Sequence, residues 1–206
     1  MTRLHRDIVD VLLGRIVNGE YAVGTLLPKE EALAEEFDVS RGTAREALRA
    51  LEERRVAMVK HGRGARVQPP AEWNALDAHV ARALGSGRSR RGFLREVDHC
   101  RGILEQEAAA LAAEHASASE RAAIRARAAE LADADDVARA VQRLRRDVAM
   151  TSGNRPLAAT LRALADAAGD SAGRPEVEAC RRLAESVASG DREAARAAAR
   201  ELTPAR

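Results

Sequence analysis

Over residues 4–18 apolar side chains return every three or four positions: Ile8, Leu12 and Ile16, with Val9, Leu13 and Val17 beside them. That period predicts an amphipathic helix, which Gly19 ends. Residues 19–28, GEYAVGTLLP, read as a loop; Pro28 suits a first helical turn, and Glu30 and Glu31 complement a positive helix terminus. A short helix follows, anchored by Leu33 and Phe37, with Asp38-Val39 as the turn. Ser40 is the predicted N-cap of a third helix over about 41–54, whose buried stripe is Ala44, Ala47, Leu48 and Leu51. The period then changes. Residues 56–60 and 65–68 flank His61-Gly62-Arg63-Gly64, which predicts a hairpin. Three helices and a hairpin make a winged helix-turn-helix over 1–68, and Pro69-Pro70 opens a linker at 69–72. Residues 73–206 read as wholly helical, with segments near 73–85, 90–114, 118–132, 136–151, 155–168, 175–189 and 191–202. The fold class is therefore mostly α: a winged helix-turn-helix followed by an all-α helical bundle.

Composition agrees. Of 206 residues 46 are alanine and only 2% are aromatic, which favours packed helices over a large sandwich or barrel. Neither a membrane-spanning apolar run nor a signal peptide is visible, so the cytoplasm is the default compartment. Cys100 and Cys180 are too few for a disulfide framework and too far apart for a zinc motif. Arginine dominates lysine, which with the alanine excess suggests a GC-rich bacterial genome.

The net charge of +2 says little, but its distribution says more. Residues 1–40 carry four Lys/Arg against eight Asp/Glu, a balance of −4; residues 41–66 carry eight against three, a balance of +5. Arg41, Arg45 and Arg49 are four apart and share one helix face, away from the apolar stripe. A helix so equipped fits a DNA major groove, where arginine binds guanine O6 and N7 together. Gly42 permits close approach, and Thr43 can meet a phosphate or a thymine methyl. Lys60, His61, Arg63 and Arg66 make a basic wing suited to a minor groove or a phosphate. No nucleophile elbow, P-loop, GxGxxG or metal triad points to an enzyme.

These residues fall into a known pattern. I16-x-x-G19-x-Y21-x-x-G24-x-x-L27-P28-x-E30, L33-A34-x-x-F37-x-V39-S40-R41-x-T43-x-R45-E46-A47-L48-x-x-L51 and G62-x-G64 closely resemble the DNA-binding domain of GntR-type bacterial transcription regulators. The resemblance implies that Arg41 and Arg45 contact operator DNA and that His61 and Gly62 lie on the wing. With their neighbours they give the candidate set Lys29, Arg41, Gly42, Thr43, Arg45, Arg49, His61, Gly62, Arg63 and Gly64. Two departures matter. Glu31 replaces the family's usual Arg, so a contact is lost or moves to Lys29; Arg55 replaces its usual Gly, at a cost of about 1 kcal/mol if the backbone there is left-handed, or else adds a phosphate contact.

The C-terminal portion resembles the FCD (FadR-type C-terminal) domain, an all-helical effector-binding and dimerising module, through W73-N74-x-L76-D77-x-x-V80, R101-x-x-L104-E105-x-E107-A108-A109-x-L111-A112-A113, S152-G153-N154 and G190-D191-x-E193-A194-A195. Most such domains hold a metal, but here the ligand positions fall on Val141, Arg145, Cys180 and about Leu202, so no metal or other cofactor is expected. Arg101 matches the family arginine that faces an effector carboxylate, and Arg145 would add a second positive charge. Arg101, Arg145, Asn154 and Cys180 are the candidate effector-binding residues. The alternatives are that both guanidiniums are paired internally with Asp or Glu, and that Cys180 is a small buried apolar residue. The expected function is a homodimeric, operator-binding regulator, a repressor, which responds to a small carboxylate or acyl anion through a metal-free helical domain and needs no membrane. The alternative is an effectorless DNA-binding dimer, because the segment from Asn154 to Cys180 is short for the family.

Overall fold

Ile8, Val9, Leu12, Leu13 and Ile16 lie on one face of helix α1 (Arg3–Val17), and none is more than 5% exposed. A computed structural model describes residues 3–60, 63–169 and 177–202. The chain divides into two compact units, Met1–Phe93 and Leu94–Arg206.

In the first unit α1 shares a core with α2 (Glu30–Glu36) and α3 (Arg41–Glu53). Leu33 from α2 and Ala44, Ala47, Leu48 and Leu51 from α3 fill it. Arg15 ties α1 to α2, pairing with Glu36 at 2.5 Å and lying 5.6 Å above the Phe37 ring. The α3 helix begins where Ser40 Oγ accepts the Thr43 N–H at 3.1 Å. It ends in a Schellman motif: Val56 N–H donates to Leu51 O at 2.9 Å and Arg55 N–H to Glu52 O at 2.8 Å. That motif requires the left-handed region at its corner, and Arg55 occupies it with φ +59°. The family glycine is absent there, and arginine bears the Cβ penalty.

Strands β1 (Ala57–Lys60) and β2 (Gly64–Val67) pair antiparallel, Ala57 opposite Val67 and Lys60 opposite Gly64. The segment read as a free loop joins them. Leu26 bridges to Arg66, Leu27 N–H donates to Ala65 O at 2.8 Å, Gly24 N–H to Val67 O at 2.9 Å, and the Arg66 guanidinium to Gly24 O. The outer side of β2 thus has backbone partners, and Leu27 is carried into the core.

The first unit extends further than the sequence pattern suggests. Trp73 Nε1 donates to Gln68 O at 2.8 Å, and Arg54 Nε to Asp77 Oδ1 at 3.0 Å. Asp77 also caps α4 (Ala78–Ser86) by accepting the His79 N–H. Across from it, His79 Nδ1 meets Asp10 Oδ1 at 2.5 Å, and Val80 enters the core of α1 and α3. At the end of α4 the chain passes so close to Val17 that a Cβ on Gly87 would lie 2.3 Å from Val17 Cγ1. The segment 73–85, assigned from its pattern to the helical domain, packs with α1 and α3, and the division into compact units falls at Phe93/Leu94.

That division lies within α5 (Arg90–His115). The second unit continues with α6 (Ala118–Ala129), α7 (Val137–Thr151), α8 (Arg155–Ala168), α9 (Val177–Ser189) and α10 (Arg192–Glu201). Small residues set its packing: Ala109, Ala112, Ala113, Ala184, Ala195 and Ala199 lie buried among Ile124, Leu131, Leu144, Val148, Leu183 and Val187. Arg121 closes the ends of two helices, donating to Ala113 O at 2.7 Å and Ala116 O at 2.9 Å, and to Val187 O and Ala188 O at 3.1 and 3.2 Å. No helix among the described residues is long and apolar enough to cross a membrane.

Candidate nucleic-acid interface

The α3 helix separates two chemistries by its turn geometry. Ala44, Ala47, Leu48, Ala50 and Leu51 are buried, whereas Arg41, Arg45 and Arg49 are exposed. Burial of the first set fixes the helix; the second set costs nothing to hold outside and stays available. The three guanidiniums are not equivalent. Arg41 Nη1 lies 3.4 Å from Glu31 Oε1, and Arg49 Nη1 lies 3.1 Å from Glu46 Oε1. Arg45, between them, has no acidic partner among the described residues. Pairs this exposed are worth about 0–1 kcal/mol, so a phosphate or a base edge can take either arginine over cheaply.

Thr43 is bound at both ends of its first turn, its N–H and its hydroxyl both facing Ser40 Oγ, the latter at 3.0 Å. At Gly42 an added Cβ would meet only Ser40 Oγ, at 3.5 Å, which is ordinary contact. The fold therefore does not require glycine there, and the open space beside the helix start is free for a close ligand. Lys29, at the start of α2, and Lys60 and Arg63, on the hairpin, are exposed. Gly64 holds φ +82° as the hairpin turns into β2. His61 and Gly62, the other wing candidates, lie outside the described residues. Arg66 is committed to Gly24 O.

In the helical unit Arg101 and Arg145 do meet, but around an acid. Glu105 Oε1 accepts from Arg101 Nε and from Arg145 Nε, each at 2.9 Å, and its other oxygen accepts from Arg145 Nη2. Arg101 also donates to Gln142 Oε1 at 2.8 Å, and Arg145 to Leu202 O at 3.5 Å. Arg101 is 4% exposed, Arg145 11% and Glu105 12%. Burial alone would raise the Glu105 carboxyl, but Arg145 and then Arg101 outweigh it and hold it below the usual carboxylate range. Burial lowers the Arg101 guanidinium, against the pull of Glu105. Spacing could have revealed this acid: Arg101 and Glu105 are an i,i+4 pair on one helix.

The other two candidates do other work. Asn154 caps α8, accepting the Leu157 N–H at 3.1 Å, and lines a shallow groove of about 730 Å³ with Leu111, His115 and Ser152. Cys180 is fully buried in the alanine-rich core, where burial pushes its thiol up to about 11. The metal implied by the FCD resemblance does not fit these residues: Val141 is apolar core, Arg145 is bound to Glu105, and Cys180 remains a protonated thiol at neutral pH. Among the described residues no three His, Cys, Asp or Glu side chains gather to hold a metal ion.

Known proteins are similar to parts of this chain in sequence or fold. Residues 4–67 match the family model of bacterial regulatory proteins of the gntR family. The Escherichia coli galactonate operon transcriptional repressor is 36% identical over 125 residues, 60% of this chain and 55% of the relative. The Escherichia coli HTH-type transcriptional regulator YieP is 35% identical over 128 residues, 61% of this chain and 54% of the relative. The chain thus spans about half the length of these curated relatives, whose names are those of transcriptional regulators. Among solved structures, Lar, which controls expression of the Listeria monocytogenes agr system, superposes with a TM-score of 0.59 at 21% identity, covering 98% of this chain and 94% of Lar. Streptococcus agalactiae GntR gives 0.50 at 23%, covering 96% of each chain; at these identities the likeness is one of fold. Residues 4–67, with a capped third helix and a paired wing, are thus similar to the gntR family of bacterial regulatory proteins.

Proposed function

We propose that this protein is a homodimeric, cytoplasmic, sequence-specific repressor whose two winged domains read the half-sites of a near-palindromic operator. One observation carries the reading: the apolar stripe of α3 is buried while Arg41, Arg45 and Arg49 stand exposed on the same helix, with its first turn fixed by Ser40. Arg41 and Arg45 serve as base-edge donors, Thr43 and Arg49 as backbone contacts, Gly42 as the point of closest approach. Lys29 and the wing residues His61, Gly62, Arg63 and Gly64 hold the phosphates beside them. The helical unit, of FCD type, dimerises the chain and carries the effector response.

An effector on the predicted residues has a defined chemical task. It must take Arg101 and Arg145 from Glu105, so it must be an anion, a small carboxylate or acyl anion, that binds both guanidiniums as well as Glu105 does. Asn154 and Cys180 would then flank the response and not hold the charge. Coupling to DNA needs the effector to distinguish two arrangements of the protein by about 1–3 kcal/mol. The same ion cluster favours a second reading, an effectorless DNA-binding dimer, because Glu105 already satisfies both guanidiniums.

Fluorescence anisotropy against a selected operator and a scrambled duplex, over a range of salt, tests the main reading. Affinity falls steeply with salt on both duplexes and favours the operator by about a thousandfold. Equal affinity for the two sequences overturns it. Melting curves with small carboxylates separate the effector readings: a shift that Arg101→Ala abolishes supports the sensor, and no shift supports the effectorless dimer.

A further inference from the structure

The acid at position 31 faces the start of the recognition helix, where a carboxylate would repel the DNA phosphates. Its Oε1 lies 3.4 Å from Arg41 Nη1, and the two side chains are 54% and 73% exposed. A pair this open adds little to stability, so its value lies in what it presents outward. Arg41 carries five N–H donors, and Glu31 stands at ion-pair distance from one of its nitrogens as an acceptor with capacity left over. Together they display donors and an acceptor side by side.

One base-pair edge matches that display. In the major groove a C·G pair shows, in order, guanine N7 and O6 as acceptors and cytosine N4 as a donor. Guanine O6 and cytosine N4 are themselves hydrogen-bonded, about 2.9 Å apart, close to the separation of the two side chains. An A·T pair places its donor between two acceptors and adds the thymine methyl, so a two-donor fork followed by an acceptor does not fit it.

Resting on the operator-binding reading above, we propose that Glu31 and Arg41 act as one unit that reads a C·G pair, Arg41 donating to guanine N7 and O6 and Glu31 accepting from cytosine N4. On any other sequence Glu31 meets no donor and its charge opposes binding. Glu31 is thus both a reader and a brake on non-specific binding, the second through electrostatics alone.

The test selects operators from a randomised duplex pool with the full wild-type chain, then measures anisotropy for wild type, Glu31→Ala and Glu31→Gln, with melting curves showing that each variant is folded. Wild type fixes a C·G pair at one position of each half-site, and its replacement by T·A weakens binding about tenfold or more. Glu31→Ala reduces that penalty to about threefold or less, binds random duplex more tightly, and steepens the log–log salt slope by about 0.9. Glu31→Gln keeps an acceptor oxygen and retains the preference while losing the brake. A full penalty in Glu31→Ala overturns the reading unit, even if that variant binds every duplex more tightly. A wild-type pool with no enriched sequence overturns the operator-binding reading itself.

Discussion

Two groups of arginines in this molecule lead opposite lives. Arg41, Arg45 and Arg49 stand in water on α3, loosely paired or, for Arg45, without an acid among the described residues. Arg101 is buried and Arg145 largely so, and both close on Glu105, Arg145 through both carboxylate oxygens. An exposed guanidinium changes partner at almost no cost, which suits a surface that must find DNA and leave it. A buried one has already lost its water, and opening its pair exposes uncompensated charge in a medium of low dielectric. Charge alone therefore does not mark a binding site; the cost of releasing the charge does.

Removing the shared acid should break the comparison most severely. Glu105→Ala leaves one buried and one largely buried guanidinium around a void and is expected to cost about 3–5 kcal/mol in denaturant unfolding. The same cluster sets an acid limit. Because the folded-state pKa of Glu105 is depressed, its contribution is present above the ordinary carboxylate range and is lost as the pH falls through the folded value. Urea midpoints should thus drop more steeply below about pH 4.5 in wild type than in Glu105→Gln.

The exposed group predicts the reverse pattern. Arg45→Ala should leave the melting curve unchanged and weaken operator binding by about 1–3 kcal/mol, read by anisotropy at fixed salt. Smaller still is the effect of Arg55→Gly, which relieves a left-handed arginine and should stabilise by about 0.5–1 kcal/mol. A simultaneous loss of DNA affinity would show that Arg55 also holds a phosphate. Least of all, Glu46→Ala should shift stability by no more than about 0.5 kcal/mol, since both side chains of its pair with Arg49 are more than half exposed.

Much of this was legible before the structure. The α3 and α8 helices fall close to their predicted spans because caps and periods agree there: Ser40 and Asn154 both accept a backbone N–H three residues on. What period cannot supply is the partner. Residues 73–85 carry an apolar face, but contacts such as Arg54–Asp77, Asp10–His79 and the close pass at Gly87 are needed to show that it turns to the winged domain. Leu26 and Leu27 looked like loop because a single bridge has no alternation to detect. Among the site residues the arginines were visible; of their acids only those on the same helix, Glu105 for Arg101 and Glu46 for Arg49, could be read from spacing. Glu31 joins Arg41 across two helices, and Glu105 joins Arg145 from forty residues away. Arg121, which gathers carbonyls from two helix ends, carries no sequence signal at all.

The most direct test sets the two groups side by side: operator affinity of Arg45→Ala and of Arg145→Ala against wild type, with the melting temperature of each. The account predicts that Arg45→Ala loses about tenfold or more in affinity with its melting temperature intact, and that Arg145→Ala loses melting temperature first. An Arg45→Ala chain that binds operator as wild type does would contradict it.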